Sequence, residues 1–283
     1  MSIDVQLLIP IYVALPLAGS LLVQLLARKR EAVAEWLTIA VMLALMLMSI
    51  AAIGHQGLYH LGGWPTPIGI DLRLDSLATL MLLVVSVVGL AVALYSVDYM
   101  RRFSARPYFY GLFLLMVTGM NGVILAGDLF NLYVFLEVAA VASYALVAFG
   151  TAHEELEASF KYIVLGTLSS ALILVGVALV YGMTGTLNMA QMAGRIAENG
   201  MGSPLLLAFG LFIVGFSFKA ALVPLHAWLP DAHPSAPAPG SAMLSGVLIT
   251  AIGVYVVARL AFNVVGIPDN ELSLLRWQGV LSR

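Results

Sequence analysis

Two ionisable side chains interrupt long apolar runs of this sequence. Glu137 follows Leu129 by eight residues, about 12 Å along a helix, and Lys219 lies 15 residues beyond Pro204. An ionisable group at mid-membrane depth is costly and by default marks an ion path or a proton relay. A lysine can take up and release a proton, and Glu137 is the expected partner of Lys219. The alternative is structural: a protonated glutamate in an interhelical hydrogen bond, and a lysine that extends to the membrane surface.

A proline-rich stretch follows Lys219. Residues 224–239 contain five prolines, which exclude an unbroken helix. Inside a membrane a broken helix is tolerated only where protein or a water-filled cavity satisfies the freed backbone, and transporters build ion sites from such helices. His226 and His233 lie in this stretch and can pass protons near neutral pH. The alternative is a loop in which both imidazoles only form hydrogen bonds.

Three further charged residues have simpler explanations. Lys161 lies near the start of an apolar run, where a lysine is either an anchor that extends to the interface or part of a relay. Asp128 stands at a helix boundary, where capping is expected. Arg259 lies near the end of the last apolar run and is predicted to be an anchor.

Membrane helices must position these residues. The chain of 283 residues is 61% hydrophobic and 10% charged, with a mean hydropathy of +1.01, whereas soluble domains contain about 25% charged residues. Apolar runs of about 20 residues predict an all-α polytopic membrane protein with eight spans. The predicted spans are 5–27, 34–53, 74–97, 108–126, 129–149, 159–182, 204–223 and 240–263. Only Gly127 and Asp128 separate the fourth and fifth spans, which should form an antiparallel hairpin.

Basic residues predict the orientation of the spans. Two clusters fall on the same side of the membrane, and they comprise Arg28, Lys29 and Arg30 and then Arg101, Arg102 and Arg106. This pattern predicts a multi-pass protein of the cytoplasmic (inner) membrane with both termini outside. A loop over residues 55–71, containing Gly and Pro, then lies outside, and the tail 264–283 resembles a connection.

Several function classes are excluded or left without a signal. A net charge of −2 and a pI near 6.2 give no basic footprint for nucleic acid. The absence of cysteine excludes disulfides, cysteine-ligated iron–sulfur clusters and a catalytic thiol in these residues. Phosphate-binding, dinucleotide-binding and zinc-peptidase motifs are also missing. We therefore expect no metal, cofactor or catalytic centre in this chain, and its partners to be lipid and other membrane proteins.

Motifs in the second half of the chain resemble the antiporter-like subunit family. The resemblance is carried by Lys219, Pro224-Leu225-His226, Trp228-Leu229-Pro230-Asp231-Ala232-His233, Ala236-Pro237, Ser241-Ala242 and Gly253-Val254-Tyr255, with further matches at 132–137 and Phe160-Lys161-Tyr162. This family supplies proton-pumping membrane subunits of respiratory complex I and large subunits of Mrp-type cation/proton antiporters and membrane-bound hydrogenases. Residues 59–75 are most similar to the family branch that holds the D-type Mrp proteins and the hydrogenases.

The resemblance implies roles for matching residues. Glu137 corresponds to the glutamate of the fifth helix and Lys219 to its partner on a broken seventh helix. Lys161 matches a lysine often found at the start of helix six, and His226 lies beside the proton path, with His233 further along the motif. The implied division is 1–106 for helices one to three, 107–263 for a five-helix antiporter-like repeat and 264–283 for the tail.

The implied function is translocation of protons, or of Na⁺ in exchange for H⁺, by a subunit of a redox-driven or Mrp-type complex. Any oxidoreductase activity, of the NADH or ferredoxin dehydrogenase or hydrogenase type, then belongs to partner subunits with iron–sulfur centres.

Two departures from the family pattern matter. The helix-eight lysine or histidine is missing, since Ala251 and Ser245 occupy the aligned positions. Members also have about fourteen helices in two inverted repeats, so we expect a split or shortened subunit whose second half-channel comes from another chain. The first alternative is a degenerate scaffold subunit without ion conduction. The second is a free-standing secondary carrier, which fits less well because half of the pseudo-symmetric pair is missing.

Overall fold

Helices make up most of the structure. A computed structural model describes residues 5–26, 31–200 and 202–265. The helices are α1 (Val5–Leu26), α2 (Glu31–Ala51), α3 (Ser76–Tyr99), α4 (Arg106–Leu125), α5 (Leu129–Val147), α6 (His153–Thr184), α7 (Met189–Asn199), α8 (Ser203–Lys219), α9 (Leu229–Ser235), α10 (Ala238–Met243) and α11 (Tyr255–Ala258). Two π-helical segments, Leu244–Val254 and Arg259–Val265, flank α11 and join it to α10 as one last helical run, 238–265.

Six of these helices, α1 to α6, are long and apolar enough to cross a membrane. The predicted seventh and eighth spans correspond to shorter apolar helices, α8 and the last helical run. The prediction of an all-α polytopic membrane protein is therefore confirmed, with six long spans and shorter apolar helices where the seventh and eighth spans were predicted.

Small residues allow α4 and α5 to pack closely as the predicted hairpin. A Cβ added to Gly119 would lie 2.4 Å from the backbone nitrogen of Ala139, and one added to Gly122 would lie 2.2 Å from the ring of Phe135. Asp128 starts α5 as its N-cap, as predicted. Its carboxylate accepts hydrogen bonds from the backbone amides of Phe130 and Asn131, each at 2.9 Å. The hairpin fixes the face of α5 that carries Glu137.

The predicted loop 55–71 contains regular structure. Strands β1 (Gly57–His60) and β2 (Asp71–Leu74) pair in antiparallel register, with His60 opposite Asp71. The carbonyl of Asp71 accepts from the amide of Gly127 at 2.9 Å, and its carboxylate accepts from Asn188 at 3.0 Å. The strands therefore dock on the α4–α5 turn and on the start of α7, a short helix that the sequence analysis did not predict.

The same end of the molecule holds a partly buried ion pair. Arg259 contacts both carboxylate oxygens of Asp75 at 2.6 Å, and the Tyr255 hydroxyl donates to the Ile124 carbonyl at 2.7 Å. Burial alone would raise the pKa of Asp75, but hydrogen bonds from Arg259 and the amide of Ala78, with the Arg259 charge, hold it below its ordinary value. Arg259 is thus a tie between the last helical run and α3, and the prediction of a simple anchor is wrong.

Arg106 lies at the opposite end of the helices and pairs with Glu31 at 3.0 Å and Glu35 at 3.3 Å. The basic cluster Arg28–Arg30 and the tail from residue 266 onward lie outside the described residues. The predicted sidedness of the basic loops therefore stays a prediction.

Candidate functional site

The seventh predicted span ends at Lys219. Its expected end was residue 223, but α8 stops four residues earlier. Ala221 adopts a left-handed backbone with φ of 51°, which is unfavourable for residues with a Cβ. Pro224 also disfavours helical backbone at the residue before it. The helix break thus begins directly beyond Lys219 and places this lysine at a helix C-terminus, where the helix dipole favours a positive charge.

Lys219 and Glu137 lie together, as the sequence predicts. The Nζ atom of Lys219 is 3.5 Å from Oε1 of Glu137, which is an ion-pair separation. The Lys219 side chain is 8% exposed and that of Glu137 is 31% exposed. Lys219 Nζ forms no hydrogen bond with the described residues, whereas the same Oε1 accepts a hydrogen bond from the hydroxyl of Ser170. Coulomb attraction to Glu137 is therefore the main interaction that this ammonium group has among the described residues.

Close packing between α6 and α8 sets the height of Lys219. A Cβ on Gly215 would lie 2.5 Å from the side chain of Ile173, so α8 approaches α6 only because residue 215 is glycine. The Gly215 carbonyl accepts a hydrogen bond from Ser169 at 2.8 Å. Ser170, next to Ser169 on α6, reaches Glu137 instead. Helix α6 thus holds both members of the ion pair.

Trp228 braces the break. Its indole N–H donates to the Phe218 carbonyl at 3.1 Å, one residue before Lys219. Its ring stacks on Tyr162 of α6 at a centroid distance of 4.1 Å and an interplanar angle of 4°. Trp228 is 1% exposed. Sequence reasoning treated it only as part of a motif; the signal that could have found it is that a buried tryptophan requires an acceptor for its N–H, and a broken helix supplies free carbonyls.

Lys161 lies apart from the Glu137–Lys219 pair. Its Nζ contacts Glu157 at 2.9 Å and Asp231 at 2.8 Å, and its side chain is 46% exposed. Asp231 belongs to α9, so Lys161 links α6 to the segment that follows the break. An open cleft of about 230 Å³ surrounds this contact.

The two histidines occupy different positions around the break. His226 lies in the turns between α8 and α9, and its Nδ1 is buried without a hydrogen bond to the described residues. His233 lies in α9, with Nδ1 2.7 Å from the hydroxyl of Ser241 in α10. His233 therefore joins the two helices beyond the break. Ser245 lies on the last helical run, and the side chain of Ala251 is outside the described residues.

Within the described ranges, no group of three or more His, Asp or Glu residues is arranged to hold a metal ion. The site is instead an ion pair and a hydroxyl at a helix break. Such groups can exchange protons.

Comparisons with known proteins cover nearly the whole chain. Residues 126–281 match the family model described as "NADH:quinone oxidoreductase/Mrp antiporter, TM", and residues 64–110 match "NADH-Ubiquinone oxidoreductase (complex I), chain 5 N-terminus". A probable D-type K⁺/H⁺ antiporter protein of Rhizobium meliloti is 42% identical over 79% of this chain and 42% of its own length. An N-type NADH-quinone oxidoreductase protein of Desulforudis audaxviator is 37% identical over 94% of this chain and 55% of its own length.

A solved structure shows the same fold. A chain of the membrane-bound sulfane sulfur reductase, an archaeal respiratory membrane complex, superimposes with a TM-score of 0.88 at 34% identity, over 97% of this chain and 57% of that one. This chain therefore spans about half the length of the relatives it matches.

Proposed function

Because the chain belongs to the NADH:quinone oxidoreductase/Mrp antiporter family of membrane subunits, we propose that it moves protons across the membrane as part of a multisubunit complex. The observation that carries this proposal is the buried Lys219 at the helix break, 3.5 Å from Glu137. A buried ammonium with one nearby carboxylate is held in its charged form mainly by that carboxylate. Its proton is therefore controlled by what happens to Glu137.

The mechanism follows from this arrangement. While Glu137 is ionised, Lys219 keeps its proton. When Glu137 takes up a proton, the ammonium loses its counter-charge in a poorly solvated place, and its neutral form becomes favoured. Lys219 then releases its proton along the break, where His226 has a buried Nδ1, without a hydrogen bond to the described residues, to accept it.

The driving energy divides the proposal into two forms. In the first form, partner subunits with iron–sulfur centres supply the driving energy. The similarity of this chain to proteins of respiratory complexes supports this form. In the second, a gradient of Na⁺ or K⁺ supplies it, which is supported by the K⁺/H⁺ antiporter relative.

The orientation is also proposed. The described arginines Arg101, Arg102 and Arg106 lie at the end of the helices that carries Lys161 and α9. The positive-inside rule then places that end in the cytoplasm, in a cytoplasmic membrane, with the β-hairpin and the Asp75–Arg259 pair outside.

Replacement of Lys219 by Ala tests ion movement. Proton uptake by inverted membrane vesicles should be lost while the chain remains in the complex at its normal amount. Arg101→Ala is the control, because Arg101 is 66% exposed and pairs with the exposed Asp98 at 3.4 Å. A scaffold subunit would tolerate Lys219→Ala with unchanged proton uptake, which would refute the proposal.

Mass spectrometry of the complex purified in mild detergent separates the two forms. Iron–sulfur subunits among the copurifying chains support the redox-driven form. Small membrane subunits without redox centres support the gradient-driven form, and a chain that purifies alone contradicts both.

A further inference from the structure

Tyr144 places a hydroxyl in the core without a partner among the described residues. The residue is 7% exposed, and its OH forms no hydrogen bond with them. The hydroxyl lies against Gly166 of α6, where an added Cβ would come within 2.1 Å of it. This oxygen therefore fits between α5 and α6 only because residue 166 is glycine.

The next hydroxyl along α6 touches Glu137. Ser170 lies one turn beyond Gly166, and its Oγ contacts both the Gly166 carbonyl at 3.0 Å and Oε1 of Glu137. On α5, Tyr144 is seven residues from Glu137, about 10 Å along the helix. The hydroxyls of Tyr144 and Ser170 thus follow one another along the α5–α6 contact and end at the carboxylate.

The series continues away from Glu137. The ring of Tyr144 packs edge-on against Tyr162 at 4.5 Å, and the Tyr162 hydroxyl accepts from Ser143 at 3.2 Å. Residue 161, next to Tyr162, is the lysine that pairs with Asp231 at the open cleft. The hydroxyls of Ser170, Tyr144 and Tyr162 therefore lie along the α5–α6 contact, between Glu137 and the end of the helices where charged groups are exposed.

An unpaired buried hydroxyl is costly, about 1–3 kcal/mol. Phenylalanine at residue 144 would keep the ring contacts without that cost. Buried polar atoms without protein partners are commonly satisfied by internal water, which forms about three hydrogen bonds. A water molecule bonded to the Tyr144 hydroxyl would supply the partner that the described residues lack.

We propose that the hydroxyls of Tyr144 and Ser170, joined by water, conduct protons to Glu137 from the Lys161–Asp231 end of α5 and α6. This inference rests on the proposed function and names the path by which the carboxylate is loaded. In each step a hydroxyl oxygen accepts a proton while its own proton passes to the next oxygen. The Ser170 proton goes to the ionised Glu137, and the hydroxyls then rotate back, so no hydroxyl carries a lasting charge.

The test uses the complete complex in inverted vesicles, with Tyr144→Phe and Ser170→Ala. We expect proton uptake to fall at least about tenfold in each, because positioned proton transfer contributes about 100-fold or more to rate. The rate ratio in H₂O and D₂O should rise in both variants, since proton delivery becomes limiting. Ser170→Thr keeps the hydroxyl and should restore the rate.

Matched controls remove equivalent hydroxyls elsewhere. Ser86 is a buried serine of α3 that donates to the Leu83 carbonyl at 3.0 Å, and Tyr110 is a buried tyrosine whose hydroxyl accepts from Ser96 at 3.2 Å. Ser86→Ala and Tyr110→Phe should transport at close to the normal rate. An equal loss in these controls would show that packing is being measured and would overturn the inference.

Glu137→Gln separates this inference from the proposed function. If Glu137→Gln abolishes proton uptake while Tyr144→Phe and Ser170→Ala leave it unchanged, the hydroxyl path is wrong and the ion-pair mechanism stands. If Glu137→Gln transports normally, the proposed function fails, and the path to Glu137 fails with it.

Discussion

Replacement of Lys219 by Met leaves Glu137 without its counter-charge, and the structure gives the size of the effect. At a separation of 3.5 Å the pair attracts by about 5 kcal/mol for an effective dielectric constant of about 20. Glu137 is 31% exposed, so solvent and neutralisation of the carboxyl recover part of this loss. Breaking a buried pair typically costs about 3–5 kcal/mol, and we expect about 3 kcal/mol here.

The measurement is the unfolding temperature, Tm, of this chain within the purified complex. A loss of about 3 kcal/mol corresponds to a lower Tm by roughly 6–12 °C for a chain of this size. Glu137→Gln should also destabilise, because it leaves the buried ammonium unpaired. The double variant removes both charges and should cost less than the two single changes together, by about 2 kcal/mol.

Additive single and double changes would refute the ion pair. Arg101→Met, which disrupts an exposed pair with Asp98, serves as the reference and should cost less than about 1 kcal/mol. A Lys219→Met variant no less stable than Arg101→Met would show that Lys219 extends to solvent instead. The alternative of a snorkelling lysine would then replace the translocation site.

Two further replacements probe the break. Trp228→Phe keeps a ring on Tyr162 but removes the indole hydrogen bond to the Phe218 carbonyl, which still accepts from the Ala221 amide at 3.0 Å. Tm should fall by an amount that corresponds to a loss of about 1 kcal/mol, and proton uptake should slow. A variant with unchanged Tm and uptake would exclude the brace. Lys161→Met removes an exposed ion pair with Asp231, so it should change stability little and slow uptake far less than loss of the buried lysine. If Lys161→Met instead reduced proton uptake as much as loss of Lys219 does, Lys161 would have a relay role.

The long spans were predictable because bilayer thickness and apolar run length are coupled. The strands β1 and β2 were not, since each has only four residues and their pairing depends on Asp71, which docks on the α4–α5 turn. Helix α7 was missed for a different reason: its buried residues Met192 and Ile196 lie on one face, but the helix has only 11 residues and is too short and too polar to stand out as an apolar membrane run. The π-helical segments of the last run left no signal in its composition.

The candidate site was predictable where a charge interrupts an apolar run. Glu137 and Lys219 are visible in that way, and their pairing follows from the cost of leaving either alone. Lys161 was predicted near the start of the sixth span, as an anchor or part of a relay; α6 begins at His153, six residues before that span, and this lysine lies on exposed turns of the helix. The hydroxyl of Tyr144 was not predictable, because its position depends on the register of α5 against α6.

The position of the break explains why one carboxylate can control Lys219. At the end of α8 the freed carbonyls are already occupied: the Phe218 carbonyl accepts from the Trp228 indole, and the Phe216 carbonyl accepts from the amide of Ala220 at 2.8 Å. These acceptors are therefore less available to the ammonium, whose Nζ has Glu137 as its ion-pair partner among the described residues. If α8 continued to residue 223, the hydrogen bond from the Trp228 indole to the Phe218 carbonyl would be lost. A helix that stops at Lys219 thus makes the charge of Glu137 the variable that decides whether Lys219 holds its proton.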